Sequence, residues 1–240
     1  MYAYAAQQAQ PALDIAALSV CRGLERSAAA RIGAISSLHK IAAHKTVFCE
    51  GDSAENVYEV VKGVLKLYKL LPDGRRQVTG FLAAGHLLGL AHDERYLYTA
   101  EAVTAVTLCR YPRSRFERLV DEVPGFARRL LAVTSDELRA AQDQMLLLGR
   151  KGAAEKIASF LLMTAERQCG DGAEDAEAVE IEMSRNDIAD YLGLTMETVS
   201  RTFTQLKREK VIALPTPCQV QLLDHDRLEQ LASGDLDSEL

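Results

Sequence analysis

Ser184-Arg185-Asn186-Asp187-Ile188-Ala189-Asp190-Tyr191-Leu192-Gly193-Leu194-Thr195-Met196-Glu197-Thr198-Val199-Ser200-Arg201-Thr202-Phe203 decides how the rest of the chain is read. Ser184 is a good helix N-cap, with Asp187 three residues on. Ile188, Ala189 and Leu192 give that helix an inner face. Gly193 stops it, Leu194 is an apolar plug, and Thr195 caps a second helix. Val199, Phe203 and Leu206 then fall at i, i+4 and i+7, a single buried stripe. Glu197, Ser200, Arg201 and Thr204 fall on the opposite side. Two short helices joined by a Gly-containing turn form a helix-turn-helix.

The exposed set has the chemistry for reading base edges. A guanidinium grips the O6 and N7 acceptors of guanine, a carboxylate accepts from cytosine N4, and a serine hydroxyl serves either. Glu197 and Arg201, one turn apart, also pair and steady the guanidinium fork. Met196 suits contact with a thymine methyl, and Thr198 and Arg185 complete the expected DNA-facing set. The plain alternative is a solvated helix with an ordinary Glu-Arg pair. Downstream, Lys207, Arg208 and Lys210 suit phosphates and the helix dipole. Val211–Leu214, the turn Pro215-Thr216-Pro217 and Cys218–Leu223 read as a strand, turn and strand, a wing beside the reading helix. Cys218 is a candidate redox thiol, since oxidation there would add bulk or charge near the DNA backbone. An inert thiol is the simpler reading.

Upstream, residues 170–178 read as a solvated acidic loop, and Ala154 to Leu162 as a helical face. Gly149-Arg150-Lys151-Gly152 reads as a hinge. Before it, Pro124 opens a long helix. Leu138, Ala141, Met145 and Leu148 lie at 3-4-3 spacing, an a/d seam. Phe126, Leu130 and Val133 have the same spacing in another register, so a coiled coil would be discontinuous. These positions, Val133 apart, are the expected dimer interface; packing on the chain's own domain is the competing reading.

Residues 44–111 change character. Short apolar runs (Lys45–Cys49, Val57–Val61, Val64–Leu71, Gln77–Leu82, Ala100–Cys109) alternate with turn residues such as Pro72-Asp73-Gly74. Such spacing predicts a small β-sandwich or barrel, such as a jelly roll. Residues 19–43 show helical spacing at Leu24, Ile32, Ile35, Leu38 and Ile41. Residues 1–18, Ala- and Gln-rich, are expected to order only where they dock.

Composition fits this picture. The 240 residues are 48% hydrophobic and 26% charged, ample for a core and against global disorder. No apolar run approaches a membrane span, and the start lacks the features of a secretory signal, so a cytoplasmic protein is expected. The net charge of −6 is uneven: residues 171–182 hold −6 and residues 224–240 hold −5, so the other 211 residues carry +5. Global charge therefore does not exclude a nucleic-acid partner. Five scattered cysteines argue against a disulfide framework or a C-x-x-C metal knuckle. His86 and His92 bracket a loop but form no ligand motif, and no metal is expected. Ser37-Leu38-His39-Lys40 matches S-x-x-K without its companions, and there is no P-loop or nucleophile elbow, so no enzyme is expected.

The order of β-roll, long helix, hinge and winged helix-turn-helix resembles the CRP/FNR family of bacterial transcription regulators. The resemblance runs from about Cys21 to Ala232. It is most specific over Val78–Gly89 and over Asp187–Arg201. It implies an α+β fold in three parts: a β-roll over 19–123, a dimerisation helix over 124–149 and a DNA-binding domain over 150–240. Glu197, Ser200 and Arg201 match the FNR-type reading set, which implies a TTGA-N6-TCAA-like palindrome. Details resemble the FixK branch, activators of microaerobic, anaerobic or nitrogen-fixation genes, with RNA polymerase as second partner. Cyclic-nucleotide pockets of the family carry Gly-Glu and Arg-Ser/Thr-Ala. Here Gly89 precedes Leu90, and the later segment is Arg95-Tyr96-Leu97-Tyr98, so no cyclic-nucleotide response is expected. FNR-type sensors hold an iron–sulfur cluster on four cysteines. Cys109 matches one position but the N-terminal region offers only Cys21, so no cofactor is expected. The rival readings are a regulator gated by an unidentified small effector, an enzyme's regulatory subunit and an iron–sulfur sensor with unusual ligands.

Overall fold

The computed structural model describes residues 18–90, 94–169 and 178–234. A 3-10 turn (Ser19–Cys21) leads into α1 (Arg26–Ala34). Eight strands follow: β1 (Ser37–Ile41), β2 (Thr46–Phe48), β3 (Asn56–Lys62), β4 (Leu65–Leu70), β5 (Arg76–Leu82), β6 (Leu87–Leu88), β7 (Thr99–Ala102) and β8 (Val106–Pro112). They form two four-stranded antiparallel sheets, ordered β1-β8-β3-β6 and β2-β7-β4-β5. The two sheets enclose Leu65, Leu88, Val106, Leu108 and an aromatic stack in which Phe48 and Tyr96 lie 3.7 Å apart.

Two elements differ from the spacing argument. Leu38 and Ile41 belong to strand β1, not to a helix, because Ser37–Ile41 pairs with Val106–Arg110. Apolar residues three apart over so short a window fit either period, and pairing decides. The run Ala100–Cys109 is two strands, broken where Gly63 approaches Ala105. A side chain at Gly63, whose φ is +87°, would meet the Ala105 carbonyl at 2.6 Å. The Pro72-Asp73-Gly74 turn forms as expected, with Leu71 N donating to Arg75 O at 2.8 Å.

Helix α2 (Arg113–Glu122) and the long α3 (Phe126–Arg150) follow. Gly125, in the left-handed region, sets the start of α3. The helix runs through Gly149, so the break is confined to Lys151 and Gly152 before α4 (Ala153–Cys169). Strand β9 (Ala178–Glu180), α5 (Arg185–Leu192), α6 (Met196–Arg208), β10 (Ile212–Thr216), β11 (Gln219–Leu222) and α7 (His225–Ser233) complete the fold. The wing is a three-stranded sheet, β10-β11-β9. Strand β9 lies where a loop is expected to end; Val179, buried opposite Val220, holds it there. Pro215 sits in β10, where the pairing with β11 shifts register, and the turn falls at Pro217 and Cys218. Residues 1–17, His92, most of the acidic loop and the last six residues lie outside the described residues.

Candidate nucleic-acid interface

Hydroxyl caps build the helix-turn-helix. Ser184 Oγ accepts from Asp187 N at 3.1 Å and donates to the Asp187 carboxylate at 2.6 Å. Thr195 Oγ1 accepts from Thr198 N at 3.1 Å. Between them Gly193 takes a φ of 62°, and Leu194 N bonds to Ala189 O at 3.0 Å, closing the turn. A side chain there would also touch Leu148 of α3, so the turn is seated against the long helix. Val199, Phe203 and Leu206 are buried as the stripe predicts, each worth about 1.5–3 kcal/mol.

The opposite face of α6 stays in solvent. Glu197, Ser200, Arg201, Thr204 and Lys207 are exposed, and so is Met196. Arg201 pairs with Glu197, with the two side chains 79% and 69% exposed. Thr198 is half-buried because its hydroxyl is drawn to the Thr195 cap. Arg185 is placed differently: its guanidinium lies 3.4 Å over the Phe203 ring. Burial lowers its pKa, and Nη1 is buried without a hydrogen-bond partner. In this position it supports α6 from behind. Cys218 is exposed at the wing turn. His86 Nδ1 bonds to Ala83 O at 3.0 Å.

The long helix divides its expected interface. Phe126 is a correction: it has no exposed surface, because its ring packs on Phe116 inside its own chain. Leu130 is half-buried against the same cluster, and Leu148 against the DNA-binding module. Leu138, Ala141 and Met145 remain exposed. Leu131, absent from the expected seam, is exposed too. It stands seven residues before Leu138, which stands seven before Met145. Leu131 thus continues the register of Leu138 and Met145, whereas Phe126, Leu130 and Val133 follow another.

Sequence reasoning missed what holds α5. Lys66 of β4, almost fully buried, reaches Asp187 at 2.8 Å and Glu101 at 2.9 Å. Arg76 of β5 reaches Asp187 at 3.1 Å and Asp190 at 2.8 Å. Burial would raise the Asp187 carboxyl, but hydrogen bonds from Lys66 and Ser184 and the nearby cations hold it below the usual carboxylate range. Gln77 Nε2 caps Asp190 O at 2.7 Å, and Gln144 Nε2 from α3 caps Tyr191 O at 3.1 Å. These amides satisfy carbonyls that a helix end leaves open. The pairs that tie β4 and β5 to α5 join residues more than a hundred positions apart, out of reach of any local pattern.

No helix among the described residues is long and apolar enough to cross a membrane. Residues 155–231 match the Crp-like helix-turn-helix domain, and residues 38–123 match the cyclic nucleotide-binding domain. The chain is 43% identical over 217 residues to the nitrogen fixation regulation protein FixK of Bradyrhizobium diazoefficiens, covering 90% of each chain. It is 44% identical over 191 residues to the transcriptional activatory protein AadR of Rhodopseudomonas palustris, covering 79% of each. The solved structure of FixK2 from Bradyrhizobium japonicum is similar with a TM-score of 0.76 and 38% identity, over 82% of this chain and 97% of that one. With a solvent-facing reading helix, a wing and a β-roll in this order, and such kinship along nearly its whole length, the chain belongs to the CRP/FNR family of transcription regulators, in its FixK-like branch.

Proposed function

We propose that the chain binds a TTGA-N6-TCAA-like near-palindrome as a homodimer and activates genes of microaerobic or anaerobic metabolism or nitrogen fixation. The observation that carries this is the face of α6, where Glu197, Ser200 and Arg201 stand in solvent, backed by buried Val199 and Phe203. Met196 adds an apolar contact, Lys207 a phosphate contact, and Thr198 and Arg185 support the helix. The relatives named as regulators of nitrogen fixation and as transcriptional activators favour activation. RNA polymerase is the second partner, and the cytoplasm is the compartment where both meet.

The division is 19–123 for the roll, 124–149 for the dimer helix and 150–240 for DNA binding. Dimerisation runs through Leu131, Leu138, Ala141 and Met145. It sets two reading helices about 34–36 Å apart, in successive major grooves. Selection of bound duplexes from a random pool tests site, symmetry and dimer together. Inverted TTGA half-sites are expected, and enrichment of single unpaired half-sites would overturn the reading. A redox role for Cys218 requires that peroxide reversibly abolish DNA binding and that Cys218→Ser resist it.

The roll does not fit a cyclic phosphate. Arg95 is exposed with its Nη1 on Gly51 O at 2.6 Å, and the Tyr96 hydroxyl donates to Asn56 O at 2.8 Å while its ring stacks on Phe48. Arg113 reaches into the roll, where it donates to the backbone carbonyls of Ala54 and Gly89. Cys21 is buried, and burial, aided by Glu59, pushes its thiol up to about 11. Control by the amount of protein made fits these features. A second reading, gating by a small effector, has one observation in its favour. A cavity of about 440 Å³ between the roll, α3 and α5 is lined by Glu137, whose Oε1 is buried without a partner and whose carboxyl burial pushes up to about 7. Calorimetry with cyclic nucleotides separates the two: silent heats are expected, and saturable binding would favour the effector.

A further inference from the structure

A second groove, of about 510 Å³, lies at the N-terminal end of α3. It is formed by the segment around the start of α1, the residues just before α3, and the first turns of α3 itself. Four guanidinium side chains line it: Arg22, Arg31, Arg128 and Arg129. Arg31 is paired with Glu122, and Arg129 donates from Nε to Ser19 O at 2.9 Å, leaving its terminal nitrogens free of that bond. Arg22 and Arg128 are exposed and make no ion pair or side-chain hydrogen bond with the described residues. Glu25 and Glu122 offset two of the four cations. The remaining excess of positive charge is gathered in a chain whose net charge is −6.

Like charges gathered in a concave surface focus a positive potential there and raise the local concentration of anions. Guanidinium forks match phosphate oxygens two at a time, so this set exceeds what one simple phosphate needs. The first turns of α1 and α3 also border the groove, and neither Glu25 nor Gly125 supplies a side-chain cap. Their positive ends add to the same field. The DNA phosphates are not the partner here. The groove opens at the start of a 25-residue helix whose far end carries the DNA-binding module, a separation of roughly 37 Å along its axis.

We propose that this groove binds a small anion with two or more linked phosphates, either inorganic pyrophosphate or the oligophosphate of a nucleotide. Because Arg129 also holds the Ser19 carbonyl, and Glu59 of the roll accepts from Ser19 N, the bound anion would sit where the N-terminal turn, the roll and α3 are tied together. The test is isothermal titration of the full-length protein with pyrophosphate and, separately, with ATP. Arg22→Gln with Arg128→Gln removes forks that carry no internal bond, so folding is preserved. Lys207→Gln is the control on the DNA-reading face. Saturable binding is expected, weakened at least about tenfold in the double variant and unchanged in Lys207→Gln. The tighter of the two ligands identifies the source of the phosphates. Absence of saturable heat with both ligands, equal affinity in the double variant, or loss in Lys207→Gln would each overturn the assignment.

Discussion

Helices α5 and α6 stand three residues apart and begin alike. Each is capped by a hydroxyl and each carries a carboxylate in its first turn, Asp187 in one and Glu197 in the other. Their fates diverge. Asp187 is 7% exposed and spends its charge on Lys66 and Arg76 of the roll. Glu197 stays in solvent and pairs with its helical neighbour Arg201. The same local pattern thus yields an anchor or a solvent-facing pair, the proposed reader, depending on what lies across from it. Local sequence decides that a helix forms and where it starts; the surface opposite decides what its charges are for.

Breaking the anchor carries the largest expected effect. Asp187→Ala leaves Lys66 buried with only Glu101 as partner and strips the Ser184 cap of its reciprocal bond. A loss of about 3 kcal/mol in urea unfolding is expected; a loss below 1 would mean that the contact is ornamental. Because the Asp187 carboxyl is held below its usual range, its contribution is present above the unfolded value of about 3.9 and is lost as pH falls through the folded value. The stability gap between the native chain and Asp187→Asn should therefore be constant from neutrality down to about pH 4 and narrow below it. A gap that narrows between pH 7 and 5 would assign the effect to another group.

The reader should behave oppositely. Arg201→Ala should cost about 1–3 kcal/mol on the palindromic site and much less on random duplex. Equal losses would remove base reading from its role. Smallest of all is the stability change on Glu197→Ala, expected within about 0.5 kcal/mol because both partners are exposed. Its effect should emerge instead as relaxed preference at the base facing it, measured by competition among single-base operator variants.

Much of this division was legible beforehand. Ser184, Gly193 and Thr195 announced both helices through cap chemistry, which is local, and the 3-4 spacing of Val199, Phe203 and Leu206 announced which face is buried. The roll was legible from turn residues between apolar runs. What stayed hidden was non-local. Nothing near Lys66 or Arg76 says that they meet Asp187 across the molecule, and nothing near Phe126 says that Phe116 claims it. Strand β9 escaped because three residues cannot declare a period without their partner. Nothing near Arg185 says that its guanidinium lies over the ring of Phe203, eighteen residues on.

The break between α3 and α4 spans only Lys151 and Gly152, too short a tether to set an angle by itself. Side chains outside the tether help to fix it: Gln144 and Gln77 each offer an amide to the last carbonyls of α5, and Lys66 and Arg76 pair with its carboxylates. In the proposed dimer, the pitch at which two copies meet a duplex then depends on these carboxamides and ion pairs as well as on the joint. Operators with a base pair added between their halves should be refused for want of slack, not for want of contacts.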